Sequence, residues 1–327
     1  MPVIHSSFRS PWWMLGGNLQ TQLPLLLRWQ YPLSESVLIP TRDNDQLSAN
    51  FYSASIQSKR LVILSHGLEG SNKQHYILGM IDYLQKNNLA GEKSDVLAWN
   101  LRGCGSPENK THKLYFAGCI NDLDDVVQWA EQKNYQEIIL IGYSLGGNVT
   151  LRWLGEQGIN AVSRKIKAVC TGSSTLDLYS TVKKLDQISN TFYRLYFIFN
   201  MKCRLKKKAK KFPGQVDISN LNRVNSFQTY DQYCSAPLNN FVNADAMYAA
   251  SSAGYVLENI QVPCLMVQAK NDPFLAENSF PEAIAEQNPM LTLEICQSGG
   301  HVGFLSNRYQ WYLDYRFGAF LNQVLAG

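Results

Sequence analysis

The chain has 327 residues, 45% of them hydrophobic, and its 30 basic and 26 acidic side chains leave a formal net charge of +4. That length and apolar share permit one large core or two smaller ones, and so modest a charge argues neither for nor against an anionic partner. Seven cysteines show no C-x-x-C pair and no zinc-ligand spacing, and Cys170, Cys264 and Cys296 lie in strand-like runs. Reduced, buried thiols, no structural disulfide and a reducing, cytoplasmic compartment are therefore expected.

Residues 1–33 read as a leader laid across the domain. His5 to Arg9 precedes no continuous apolar stretch, because Gly16, Gly17, Asn18 and Gln20 interrupt it, so no export signal is expected. Leu23–Leu27 is far short of the about 20 residues a membrane span needs. Trp12, Trp13 and Trp29 are expected to anchor the leader by packing; a membrane-surface role is the weaker reading. Ser36–Ile39 and Leu47–Tyr52 follow as an antiparallel pair, then a strand over Leu61–Ser65, a helix over Tyr76–Lys86 and a strand over Val96–Asn100. The helix Ile120–Gln132 puts Ile120, Leu123, Val127 and Ala130 on one side. Beyond it come the strand Glu137–Ile141, a helix over Gly147–Gln157 and the strand Ile166–Thr171. Such alternation predicts a mostly parallel sheet covered on both faces.

Residues 174–247 break the alternation and read as a helical cap inserted in a single domain of 1–327. Thr191–Phe199 is its most aromatic stretch, expected to pack the cap on the core and to contribute to an acyl tunnel. Lys202–Lys211 carries the densest positive charge, expected as a solvated helix face; weak contact with an anionic membrane surface is the second reading. Nucleic acid is excluded as a partner, since no nucleic-acid-binding motif accompanies the low overall charge. The strands Val262–Ala269 and Leu291–Cys296 resume the sheet, and a helix over Trp311–Leu325 closes one face.

Gly142-Tyr143-Ser144-Leu145-Gly146 matches G-x-S-x-G between a buried strand and a helix, where small flanking residues let a serine project above the sheet. With a nucleophile at Ser144, the order serine, acid, histidine leaves His301 as the base among five histidines, the others being His5, His66, His75 and His112. Asp272, after the strand Val262–Ala269, is the expected acid, and Asp177 the alternative. An oxyanion would need backbone N–H groups already aimed at it, and those of Leu68 and Leu145 are the expected donors. His66 is expected to orient its loop. Arg102–Ser106 lacks both the P-loop ending and dinucleotide spacing, so it reads as a tight turn, and Cys104 is not expected to act as a nucleophile.

Taken together, His66–Ser71, Leu101–Gly105, Gly142–Asn148, Asn271–Phe274 and Gly299–Phe304 resemble the YheT-like branch of the α/β-hydrolases. Leu19-Gln20-Thr21 with Pro24, and Phe212-Pro213-Gly214, extend the resemblance to nearly the whole chain. It implies an α/β-hydrolase fold with Ser144, Asp272 and His301 at the triad positions. The activity expected is hydrolysis of aliphatic or lipid-derived carboxylic esters through an acyl-enzyme, with no metal and no organic cofactor. Acyl transfer to an alcohol by the same triad, or a non-catalytic lipid- or partner-binding role, are the alternatives.

Overall fold

Nine strands form one sheet in the computed structural model, which describes residues 2–26, 31–54, 58–306 and 311–327. They are β1 (Val3–His5), β2 (Glu35–Pro40), β3 (Gln46–Tyr52), β4 (Arg60–Ser65), β5 (Asp95–Trp99), β6 (Glu137–Tyr143), β7 (Ile166–Gly172), β8 (Cys264–Ala269) and β9 (Leu291–Cys296). Across the sheet the order is β1-β9-β8-β7-β6-β4-β5-β3-β2. Every pairing from β1 through to β5 is parallel, and β5 with β3 and β3 with β2 are antiparallel. Strands β4, β5 and β8 are buried at every position, which requires cover on both faces.

That cover comes from helices in the crossovers. In chain order they are α1 (Gly16–Gln22), α2 (His75–Lys86), α3 (Ile120–Glu131), α4 (Leu145–Gln157) and the single turn α5 (Asn160–Ser163). On one face, Val62 and Leu64 pack with Ile77, Ile81 and Leu84 of α2 and with Phe317 of the final helix. On the other, Leu61 and Ile63 pack with Leu123 and Val127 of α3 and Val149 and Trp153 of α4. Period-two alternation along β4 thus feeds two apolar layers at once.

Between β7 and β8 the chain leaves the sheet for α6 (Leu178–Leu185), α7 (Thr191–Lys211), α8 (Phe227–Tyr230), α9 (Ala236–Leu238) and α10 (Ala244–Ser251). Helices α11 (Glu282–Gln287) and α12 (Tyr312–Leu325) follow later. The insertion has its own apolar cluster around Tyr193, Ile198, Leu205, Phe227 and Tyr230, joined by Leu114 and Phe274 from sheet loops. Among the described residues no helix is long and apolar enough to cross a membrane.

Three expectations about side chains change here. Trp12 is 83% exposed rather than packed on the core, and Trp29 lies outside the described residues. The start of the chain is held instead by β1, which adds to the edge strand β9, and by buried Met14 and Phe8, the latter stacked on Tyr312 at 4.5 Å. The aromatic run of α7 is divided, with Tyr193 and Ile198 buried but Phe192, Leu195, Tyr196 and Phe199 exposed. Its basic run is divided too: Lys208 is buried, with Nζ donating to Asn109 Oδ1 at 2.7 Å and Thr111 O at 2.8 Å.

Candidate active site

Strand β6 ends at Tyr143 and α4 begins at Leu145, which leaves Ser144 alone in the turn at φ +55°, ψ −122°. A non-glycine residue in such a conformation costs on the order of 1–3 kcal/mol, so the surroundings must impose it. They do so by close approach. A Cβ on Gly146 would lie 2.4 Å from His66 O and 2.5 Å from Ser65 O, and one on Gly142 would lie 2.6 Å from Gly146 O. Only glycine lets the elbow press against the end of β4. Ser144 N donates to Gly172 O at 2.9 Å, tying the turn to β7 as well.

The structure brings Ser144, His301 and Asp272 together. His301 Nδ1 lies 2.8 Å from Asp272 Oδ2, and His301 Nε2 lies 2.7 Å from Ser144 Oγ. A carboxylate only accepts, so Nδ1 carries the proton, and Nε2 is left with a lone pair facing the serine hydroxyl. All three side chains are buried. The second carboxylate oxygen of Asp272 accepts from Phe274 N at 2.8 Å, and the Phe274 ring packs 4.3 Å from the imidazole. Asp177 is elsewhere: it caps α6, accepting from Ser180 N and Oγ and from Asn278 Nδ2.

The segment that presents His301 is held by α1. Gln20 Oε1 accepts from Gly299 N at 2.8 Å and from Asn271 Nδ2 at 2.9 Å, while Thr21 Oγ1 accepts from His301 N at 2.8 Å. Gly300 N donates to Asn271 Oδ1 at 3.1 Å, so one network ties the acid loop, the histidine loop and α1. Contact is so close that a Cβ on Gly17 would fall 1.7 Å from Asn271 O, and one on Gly303 would fall 2.0 Å from Gln20 O. No local sequence pattern assigns Gln20 and Thr21 this work.

On the opposite side of Ser144, the loop after β4 carries Leu68. His66 is wholly buried and accepts from Leu101 N at Nε2 (3.1 Å), so its protonated Nδ1 donates to Gly67 O (2.8 Å). Burial holds this ring well below the usual histidine range, at about 4, and its neutral form orients the loop rather than moving protons. Gly67 N donates to Tyr76 Oη at 3.0 Å. Glu69, at φ +52°, is tied twice to Tyr115, its N donating to Tyr115 Oη at 3.0 Å and its Oε1 accepting from it at 2.8 Å. Arg204 reaches over from α7 and donates to Glu69 Oε2 at 2.9 Å. Sequence reading placed Arg204 in a solvated basic face; it proves to be the cation that joins the insertion to this loop.

Arg102 is likewise committed to structure: it donates to Asp122 Oδ1 at 2.7 Å, Asp45 Oδ2 at 2.9 Å and Asp43 Oδ1 at 3.0 Å. Burial pushes the Cys104 thiol up to about 12 against the influence of Arg204, which leaves no thiolate for nucleophilic work near neutral pH. Ser144, Leu145, Leu68 and His301 face a cavity of about 390 Å³. Its walls are largely apolar, drawing on Leu178, Val182, Phe197 and Met201 of the insertion. Glu69, Arg204 and Asp231 supply polar points; burial raises the Asp231 carboxyl to about 6, and Tyr248 Oη donates to it at 2.7 Å. A hydroxyl held 2.7 Å from an imidazole Nε2 in such a pocket can attack an acyl carbon.

The chain belongs to the alpha/beta hydrolase fold family, whose characteristic sequence matches residues 60–308. Within that class it is similar to the Escherichia coli (strain K12) protein named "Putative esterase YheT", 26% identical across 94% of this chain and 91% of that one. It is also similar to the Mus musculus protein named "Phospholipase ABHD3", at 24% identity over 99% of this chain and 80% of that one. Among solved structures, the Pyrococcus furiosus esterase Pf2001 superposes with a TM-score of 0.58 at 20% identity, covering 91% of this chain and 97% of that one, a likeness of fold.

Proposed function

We propose that the protein hydrolyses carboxylic esters of aliphatic or lipid-derived acids through an acyl-enzyme on Ser144. The carrying observation is the unbroken hydrogen-bond chain from Ser144 Oγ through His301 to Asp272, at 2.7 and 2.8 Å, opening on an apolar cavity. His301 Nε2 takes the serine proton as Oγ bonds to the ester carbon, and Asp272 stabilises the imidazolium that results. The carbonyl oxygen becomes an oxyanion, for which the backbone N–H groups of Leu68 and Leu145 are the donors. Leu145 is the first residue of α4, where an N–H has no acceptor within its own helix. Collapse expels the alcohol with the proton from His301. Water then gives a proton to Nε2, its oxygen attacks the acyl carbon, and the acid departs as Ser144 recovers its hydrogen.

Cavity walls of Leu, Val, Met and Phe support an aliphatic acyl group, and the relatives named as an esterase and a phospholipase support the ester class. A series of p-nitrophenyl esters of increasing acyl length tests this reading. Rising kcat/KM with added methylenes is expected, and absence of turnover at every length contradicts it. Running the same reactions with added alcohol, and analysing for free acid against new ester, separates hydrolysis from acyl transfer.

A further inference from the structure

Helix α7 shows solvent one continuous face along its length. Phe192, Leu195, Tyr196 and Phe199 occupy the first half of that face, 58–67% exposed, and Lys206, Lys207 and Lys210 continue it at helical spacing. Single exposed apolar residues are ordinary. Four on adjacent turns of one helix, beside a cavity mouth, form a contiguous patch of the kind that marks an interaction surface.

The patch lies at the mouth because Phe192 and Tyr196 line the cavity while remaining more than half exposed, as does Leu25 from the segment after α1. Gln22 Nε2 donates to Tyr193 Oη at 3.2 Å, which joins that segment to α7. Leu26, adjoining in the chain, and Ile188, just before α7, extend the exposed apolar rim.

Charge identifies the occupant. Helix α7 contains no acidic residue in its 21 positions. Lys207 is paired with Glu108 at 2.5 Å, and Lys202 and Lys208 are spent on oxygens of neighbouring loops. Lys211 lies over the Phe212 ring at 5.5 Å and, with Lys207, favours the Glu108 carboxylate, whereas Lys206 and Lys210 pair with no carboxylate among the described residues and leave a field of one sign beyond the apolar half.

We propose that this face docks on an anionic lipid surface, with Phe192, Leu195, Tyr196 and Phe199 entering the acyl boundary and Lys206 and Lys210 lying among the headgroup phosphates. A helix carrying apolar and basic residues in successive halves of one face suits a tilted seat at such an interface. Docking so oriented turns the cavity mouth toward the membrane, and an aliphatic ester passes from bilayer to pocket without crossing water. Each free lysine contributes about fivefold to partitioning onto anionic lipid. The surface stands independently of the acyl-enzyme reading, although it gives that reading its source of substrate.

Binding is tested in full-length protein carrying Ser144→Ala, so that neither lipid turnover nor its absence affects the measurement. Protein is sedimented with vesicles of phosphatidylcholine alone and of phosphatidylcholine mixed with phosphatidylglycerol. Partitioning at least tenfold stronger onto the mixed vesicles is expected. Lys206→Glu with Lys210→Glu should remove that preference, and Leu195→Ser with Phe199→Ser should weaken binding to both vesicle types about tenfold. These four side chains are exposed and none lines the cavity, so the variants should melt at the parent temperature. Equal partitioning onto the two vesicle types overturns the proposal, as does undiminished binding by the Leu195/Phe199 variant. So does a dimer in solution that only that variant dissolves, which would assign the stripe to a second copy of the chain.

Discussion

The two loops that flank Ser144 are held by different parts of the chain and by different chemistry. The histidine loop is fixed from α1 by neutral, buried hydrogen bonds from Gly299 N to Gln20 Oε1 and from His301 N to Thr21 Oγ1. The loop carrying Leu68 is fixed from the helical insertion by an ion pair, Arg204 to Glu69, with Tyr115 bracing the carboxylate. The proposed base is therefore built into a scaffold that also adds a strand to the sheet. The loop assigned to the oxyanion depends on α7, the helix whose outer face is apolar and basic. Proton transfer and charge stabilisation should accordingly fail separately when one support or the other is removed.

The largest effect belongs to the base side. Asp272→Asn, which forces the wrong tautomer on His301, should lower kcat by about 10⁴-fold, whereas Asp177→Asn should leave it unchanged; steady-state turnover of a short ester decides, and the reverse result would transfer the acid role to Asp177. Next comes acid sensitivity, which falls on the connection after β4. Burial depresses His66 and His75 alike to about 4, against about 6.5 in the unfolded chain. Between those values the unfolded state binds protons that the folded state does not. Stability is therefore complete above about pH 6.5 and declines as pH falls toward 4, by on the order of 3 kcal/mol per histidine. Urea melts of the parent and of His75→Phe across that range should show a shallower decline for the variant; identical slopes would contradict the assignment.

Removing the hold from α1 should cost less than losing the acid. Gln20→Leu with Thr21→Val leaves the Gly299 and His301 amides unsatisfied and frees the imidazole to shift, so kcat should fall about 100-fold with little change in KM. Smallest is the ion-paired side. Arg204→Met should lower kcat by about tenfold, and adding Glu69→Gln should cost little more, because the two act as one unit. Full additivity of the two changes would show that they act independently.

Much of this was legible because the relevant signals are local. G-x-S-x-G between a largely apolar strand and a helix marks Ser144, and the Gly-rich run at 298–303 marks the loop that carries His301. Order along the chain then selects one histidine of five. The remainder had no local signal. Strand β1 is three residues long, too short for a period to register. Gln20 and Thr21 act on residues 279 and 280 positions away, through bonds that no spacing in a helical turn announces. Arg204 sits in a basic run that looks uniformly solvated, and only packing distinguishes the cations turned inward, Arg204 and Lys208. Trp12 shows the converse: tryptophan is a good packing residue in general, yet this one is exposed while the modest Phe8 carries the contact.

Covalent capture of the nucleophile bears most directly on the whole account. Treated with a fluorophosphonate and analysed by intact mass and peptide mapping, the protein should gain one adduct, located on Ser144, absent from Ser144→Ala and formed far more slowly in His301→Ala. An adduct at another residue, or labelling undiminished by Ser144→Ala, would contradict it.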